Sequence, residues 1–113
     1  MKFSDRLIFW NNRLNLLHKE LTPEQFSRVL ECFWASQLES KRWLQKKVSQ
    51  YITKPYDFDA VVYGGWYGTA ATLMADLGFR RCISVDIDPE CETMGKKLLG
   101  EYNYLVNFVT DDM

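Results

Sequence analysis

Apolar residues in the first half of the chain recur at spacings of three and four, which is the period of an α-helix. One set is Leu7, Trp10, Leu14 and Leu17, and a second is Phe26, Val29, Leu30, Phe33 and Trp34. The second set follows Thr22-Pro23-Glu24-Gln25, where the Thr22 hydroxyl can accept a free backbone N–H and Gln25 can complete a capping box. The pattern predicts a helix that begins at Pro23.

Helical character continues over residues 39–48, after a predicted break near residues 36–40. Trp43, Leu44 and Val48 are predicted to face inward and the lysines to face solvent. Cys32 and Trp34 are predicted core residues. Because the apolar faces of this half are large, we expect them to pack on a sheet and close its ligand site rather than form a separate domain.

The period changes after Pro55. Strands are predicted at residues 59–63, 81–86 and 104–109, with helices at residues 69–77 and 89–99 that are each followed by a glycine. The first strand is a continuous apolar run, typical of a parallel sheet covered on both faces. The order β-α-β-α-β predicts an α/β fold, a Rossmann-like half preceded by an N-terminal helical segment. We expect one domain over residues 1–113, with a helical cap (1–54) and a cofactor-binding half (55–113).

Composition narrows the class of protein. The 113 residues are 47% hydrophobic and 15% aromatic, which excludes a disordered or collagen-like chain. Apolar runs are too short and too often interrupted by charge for a membrane span or a secretory signal, so a cytoplasmic protein is expected. Cys32, Cys82 and Cys91 lack C-x-x-C spacing and His18 is the single histidine, so neither a disulfide framework nor a Cys/His metal site is predicted.

Charge is unevenly distributed. Residues 1–54 hold ten basic and five acidic side chains, whereas residues 55–113 hold four basic and ten acidic ones. A solvated helix surface is the ordinary interpretation of the basic half. A surface that binds nucleic acid or an acidic partner is the alternative.

Three features follow the three predicted strands, where ligands bind in open α/β sheets. The first is the glycine loop, Gly64-Gly65-Trp66-Tyr67-Gly68, whose glycines allow close backbone approach and whose following helix offers N–H groups to an anion. The second is Asp86, placed to accept hydrogen bonds from a ribose diol, with Ile87 beside it to pack on an adenine. The third is the pair Asp111 and Asp112, either of which can accept from an adenine amine.

Each feature also has a simpler interpretation. Asp88 precedes Pro89 and is predicted to cap the following helix. Asp111 and Asp112 also fit a solvated loop or chain end. Trp66 is predicted to touch either cofactor or acceptor. Cys91 is not assigned as a nucleophile, because no histidine is near it in the sequence.

Residues 61–113 resemble the nucleotide half of a class I S-adenosylmethionine-dependent methyltransferase. The amino-acid sequence is similar to that of small phage and bacterial methyltransferase-like proteins at three places. These are the glycine loop, Asp86-Ile87-Asp88-Pro89-Glu90-Cys91 and Thr110-Asp111-Asp112-Met113. The resemblance implies that Gly64, Gly65 and Gly68 line the methionine part of S-adenosylmethionine, that Asp86 holds the ribose, and that Asp111 or Asp112 holds the adenine.

The chain departs from that family in two ways. Val62 stands where the family has an acid and Trp66 where it has its middle glycine, so the loop must follow another path. The family's catalytic and acceptor-binding residues usually follow a fourth strand, which is not found before Met113. We therefore assign no catalytic residue and no acceptor, interpret the chain as the N-terminal part of a longer protein, and expect little methyl transfer from it alone.

Two other functions are compatible with the sequence. An NAD-type dinucleotide site shares the spacing between the glycine loop and Asp86, but Tyr63 stands at its first glycine and bulky Trp66 would crowd a pyrophosphate. A non-catalytic interaction or assembly protein, for example a phage-encoded or virion-associated component, could retain the half-fold. In that case the free edge of the last strand would bind a second copy or a protein partner.

Overall fold

A computed structural model describes residues 1–31 and 38–112. These form α1 (Phe3–Leu17), α2 (Pro23–Leu30), α3 (Leu38–Tyr51), β1 (Asp59–Tyr63), α4 (Thr69–Leu77), β2 (Arg81–Asp86), α5 (Pro89–Leu99) and β3 (Asn107–Thr110), with short 3₁₀ helices at Pro55–Asp57 and Gly100–Leu105. The predicted core residues Cys32, Phe33 and Trp34, and the first part of the predicted helix break, lie outside the described residues.

Two helix starts form as the sequence predicts. At the start of α2, the Thr22 hydroxyl accepts from the Gln25 N–H at 3.2 Å while the Gln25 side chain accepts from the Thr22 N–H at 3.0 Å. At the start of α5, the Asp88 carboxylate accepts from the Glu90 N–H at 2.9 Å. Both caps satisfy backbone donors that would otherwise have no partner inside the helix.

The strands form a parallel sheet in the order β1-β2-β3, with Val61, Ile83 and Asn107 in one row. The β-α-β-α-β order is thereby confirmed as a Rossmann-like half-fold. The third strand was predicted too early, since residues 104–106 are not part of it. The Val106 N–H donates to the Asn103 carbonyl in the preceding 3₁₀ helix, so pairing with β2 begins only at Asn107.

Helices α4 and α5 lie on one face of the sheet. The Phe108 ring lies directly against Gly68, just before α4, and against Gly95 of α5. Helix α1 packs on α5, and α3 packs on α4. A buried ion pair joins α1 to α4, because the Arg6 guanidinium contacts the Asp76 carboxylate at 2.6 and 2.8 Å.

The helical half therefore buries its apolar residues mainly against other helices rather than against the sheet. Trp10, Leu14 and Leu17 of α1 belong to the same buried cluster as Met94 and Leu98 of α5. The expectation that this half packs on the sheet is wrong for α1 and α3, because α4 and α5 present a second apolar surface on their far side.

Helix α3 is rotated relative to the prediction. Trp43 is 60% exposed and Leu44 is 36% exposed, whereas Lys41 and Gln45 are buried. The Gln45 amide donates to the Leu73 carbonyl of α4 at 3.1 Å, and this buried hydrogen bond fixes which side of α3 faces inward. The prediction was wrong for Trp43, Leu44 and Lys41. Val48 is half-buried.

The opposite face of the sheet is open in the described part of the chain. Val61, Tyr63 and Val109 on that face are 46%, 72% and 41% exposed. Because the strand order runs in one direction with right-handed crossovers, α4 and α5 fall on the same side. The prediction that β1 is covered on both faces is therefore wrong. Along residues 1–31 and 38–112, no helix has the length and apolar character of a membrane span.

Candidate functional site

The glycine loop connects β1 to α4 at the carboxyl ends of the strands. Gly64 and Gly68 have φ of 67° and 82°, in the left-handed region that glycine tolerates best. Trp66 is also left-handed, with φ of 51°, which is uncommon for a bulky side chain and costs on the order of 1–3 kcal/mol. The loop therefore holds a bulky residue as well as two glycines in the left-handed region.

Gly65 is required for a different reason. The Ser84 hydroxyl of β2 occupies the place where a β-carbon at residue 65 would lie, and the Gly65 N–H donates to the Val85 carbonyl at 3.0 Å. Ser84 is 2% exposed, and its oxygen is a buried side-chain oxygen without a hydrogen-bond partner in the described structure. The absence of a side chain at residue 65 thus lets the loop lie directly on β2.

Asp86 connects all three features predicted for the site. One carboxylate oxygen accepts from the Trp66 N–H at 3.0 Å, and the other accepts from the Asp88 N–H at 3.2 Å. Its backbone carbonyl accepts from the Asp111 N–H at 3.0 Å. Asp86 therefore holds the strained loop, the start of α5 and the end of β3 together, a structural role that the sequence pattern did not predict.

The other predicted residues differ in their exposure to solvent and in their hydrogen-bond partners. Ile87 is 62% exposed next to Asp86, as a ligand-facing apolar residue would be. Asp111 and Asp112 are both exposed, and one Asp111 carboxylate oxygen accepts from the Asp112 N–H at 2.7 Å. The Asp112 carboxylate has no protein partner among residues 1–31 and 38–112. Asp88 is the helix cap described above.

A pocket of about 190 Å³ opens beside the loop, on the side that faces α3. It is lined by Ser40, Lys41, Leu44, Val62, Gly64, Gly65, Trp66, Thr69 and Ala70. Asp86, Ile87, Asp111 and Asp112 do not line it, so the predicted residues fall into two groups. Trp66 joins the groups, because it borders the pocket and donates its N–H to Asp86.

Sequence reasoning missed the contribution of α3 to this pocket. Ser40, Lys41 and Leu44 lie twenty or more residues before the glycine loop, and nothing in their local sequence marks them. Their position depends on how α3 packs against α4. The α3 residues therefore close one side of the pocket.

Cys91 lies just inside α5 and is 4% exposed. Burial, together with the negative charge of Asp86 and Asp88, raises the pKa of its thiol to about 12. The thiol is therefore neutral near pH 7 and is a poor nucleophile. This environment matches a structural cysteine.

The residues at the strand ends fit the S-adenosylmethionine that the resemblance implies. A carboxylate has about four acceptor positions. Two of those on Asp86 are taken by backbone N–H groups, and the Cys91 thiol also interacts with this carboxylate, so only the remaining acceptor capacity is available to ribose hydroxyls. The pocket is smaller than the roughly 300 Å³ of a typical cofactor cavity, so it suits an amino-acid-sized portion of a ligand and not the whole molecule.

Fold and site together define a Rossmann-like α/β protein with its polar groups gathered at the carboxyl ends of the strands. Comparison of the chain with protein-family models, with curated proteins and with solved structures found no match. A functional assignment therefore rests on the residues of the site.

Proposed function

We propose that this protein binds S-adenosylmethionine at the carboxyl ends of β1, β2 and β3, in the manner of a class I methyltransferase. The observation that carries the proposal is the position of Asp86 at the carboxyl end of β2, where it binds the glycine loop and the end of β3 and is only half-buried. When bound, the cofactor supplies an electrophilic methyl group. The proposal assigns no methyl acceptor.

Each predicted residue has a defined part in this proposal. Asp86 accepts the ribose hydroxyls, and the exposed Ile87 covers one face of the adenine. Asp112 is the better placed of the two terminal acids to accept from the adenine amine, because an Asp111 oxygen is already bonded. Gly64, Gly65 and Trp66 border the pocket and place the methionine end near the first N–H groups of α4.

Calorimetric titration with S-adenosylmethionine and S-adenosylhomocysteine tests the proposal. Asp86→Ala is expected to weaken binding by about 1.5–3 kcal/mol, the scale for losing hydrogen bonds to a charged group. Because Asp86 also holds the loop, its variant can lose stability as well as affinity. Thermal unfolding of the same variant without ligand measures that structural part.

Ile87→Ala separates binding from folding. Ile87 is 62% exposed, so its truncation should leave stability unchanged while weakening cofactor binding. Ile8→Ala is the matched control, since Ile8 of α1 is 60% exposed and is not one of the candidate site residues. Equal affinity of Ile87→Ala and Ile8→Ala, or tighter binding of NAD than of S-adenosylmethionine, would contradict the proposal.

One observation favours a second function, that of an assembly protein. The open sheet face presents Val61, Tyr63 and Val109 to solvent, and parallel sheets are normally covered on both faces. In this case the protein would bind a partner there and would bind no cofactor. Sedimentation at increasing protein concentration, with Tyr63→Ser as the variant, distinguishes the two functions.

A further inference from the structure

The ten basic residues of the N-terminal half are not equivalent in the fold. Arg6 is paired with Asp76 in the interior, Arg13 donates to the Lys97 and Leu98 carbonyls at the end of α5, and Arg28 pairs with Glu90. Each of these three cations therefore has a partner within the protein. The remaining charge is concentrated on α3 and the connector after it.

Between Ser40 and Tyr56 the chain carries five basic residues and no acidic one. Lys41 is buried, whereas the other four reach the surface: Arg42, Lys46 and Lys54 are exposed and Lys47 is half-buried. The Arg42 guanidinium lies over the Phe3 ring of α1, 5.3 Å from the ring centroid. Within residues 1–31 and 38–112, none of these four has a carboxylate within 4.0 Å. The outer side of α3 is therefore a predominantly positive surface, with the exposed Glu39 in the first turn of the helix as an acid beside it.

Two large aromatic rings lie on the same surface. Trp43 is 60% exposed and Tyr51 is 78% exposed, although the sequence pattern predicted that Trp43 faces inward. Trp43, Lys47 and Tyr51 follow one another at intervals of four, so they share one side of the helix, with Arg42 and Lys46 in the adjacent row. At about 1.5 Å per residue the two rings are separated by ~12 Å along the helix.

We propose that the outer surface of α3, formed by Arg42, Trp43, Lys46, Lys47, Tyr51 and Lys54, binds single-stranded nucleic acid. The cations contact phosphates, and the Trp43 and Tyr51 rings stack on unpaired bases. This combination of a positive track and exposed rings is how proteins hold single strands without reading their sequence. The proposal does not depend on cofactor binding.

Other polyanions fit the surface less well. A duplex would use the cations alone, because the faces of its bases are covered by stacking. A membrane-bound helix needs a continuous apolar side, but the helical neighbours of Trp43 at intervals of four are Glu39 and Lys47. The opposite side of α3 is occupied by α4.

Fluorescence anisotropy with a labelled oligothymidine of about 12 nucleotides, as long as typical single-strand sites, measures this binding. For three or four phosphate contacts, the slope of log K against log salt is expected to be roughly −2 to −3. Lys46→Ala combined with Lys47→Ala should reduce the slope by about 1.4, since each contact contributes about 0.7. Trp43→Ala should weaken binding by about 5-fold to 100-fold without changing the slope, and Trp43→Phe should restore part of the loss.

Two variants elsewhere on the surface serve as controls. Lys19→Ala removes an exposed cation outside α3, and Tyr104→Ala removes a ring that is 72% exposed near β3. Neither should change the affinity. Circular dichroism of every variant checks that the helices are retained.

Three results would overturn the proposal. One is the absence of oligonucleotide binding at low salt by a folded protein. Another is oligonucleotide binding that Trp43→Ala leaves unchanged and in which polyglutamate displaces the labelled oligothymidine as well as unlabelled oligothymidine does. That result would indicate attraction by charge alone. The third is binding to phosphatidylserine vesicles with none to the oligonucleotide.

Discussion

The ion pair between Arg6 and Asp76 gives the sharpest test of how the helical half is attached. Both side chains are almost fully buried, at 3% and 5% exposure, and they form two hydrogen bonds of 2.8 and 2.6 Å. Removing one partner leaves the other charged and buried, which costs about 3–5 kcal/mol. Because a domain of this size is stable by only about 5–15 kcal/mol, Asp76→Ala is expected to remove about a fifth or more of that stability.

Urea unfolding followed by circular dichroism measures the effect, with a double-mutant cycle to isolate the pair. Arg6→Met and Asp76→Leu should each destabilise strongly, whereas the double variant should cost less than the sum, because apolar residues then replace both charges. The exposed pair Arg28 and Glu90 is the control. Its side chains are 48% and 29% exposed, so Glu90→Gln should cost at most about 1 kcal/mol.

Two outcomes would refute this reasoning. If Asp76→Ala cost under about 1 kcal/mol, the pair would behave as a surface pair and would not be a buried link between α1 and α4. If the two single effects simply added, Arg6 and Asp76 would not interact. Added salt should change the wild-type stability little through this pair, since buried charges are weakly screened.

Three further predictions follow from burial, charge and packing. Burial is the main cause that raises the pKa of the Cys91 thiol to about 12, so this thiol should resist alkylation at pH 8 in peptide-mapping experiments. The stability that the neutral thiol contributes should be lost as pH rises above about 9. Hydrogen bonds from two arginines, first Arg81 and then Arg80, lower the pKa of Asp59 to about 2. The difference in unfolding free energy between wild type and Asp59→Asn, measured in urea, should therefore shrink as pH falls from about 4 to 2. Gly95→Ala would place a methyl group against the Phe108 ring and should lower the unfolding free energy by about 1–3 kcal/mol in the same assay, as overpacking does.

Local sequence determined the order and most of the boundaries of the elements. The capping box at Thr22 and Gln25, and the cap at Asp88 before Pro89, act within three residues, so the starts of α2 and α5 can be predicted without knowing any neighbour. The same holds for the parallel β-α-β-α-β order, because the strand and helix periods alternate and right-handed crossovers leave few topologies. The candidate residues Asp86 and Asp111 were placed at adjacent strand ends for that reason.

Tertiary structure decided the features that depend on a distant partner. Whether Trp43 or Gln45 faces inward is settled by the Leu73 carbonyl of α4, which accepts a buried hydrogen bond that no local pattern reveals. The start of β3 at Asn107 depends on where β2 can pair, and Arg6 is buried because Asp76, seventy residues away in sequence, meets its guanidinium. Periodicity identifies which residues share a side of a helix, but the partner across the interface determines which side is buried, and that partner is distant in the sequence.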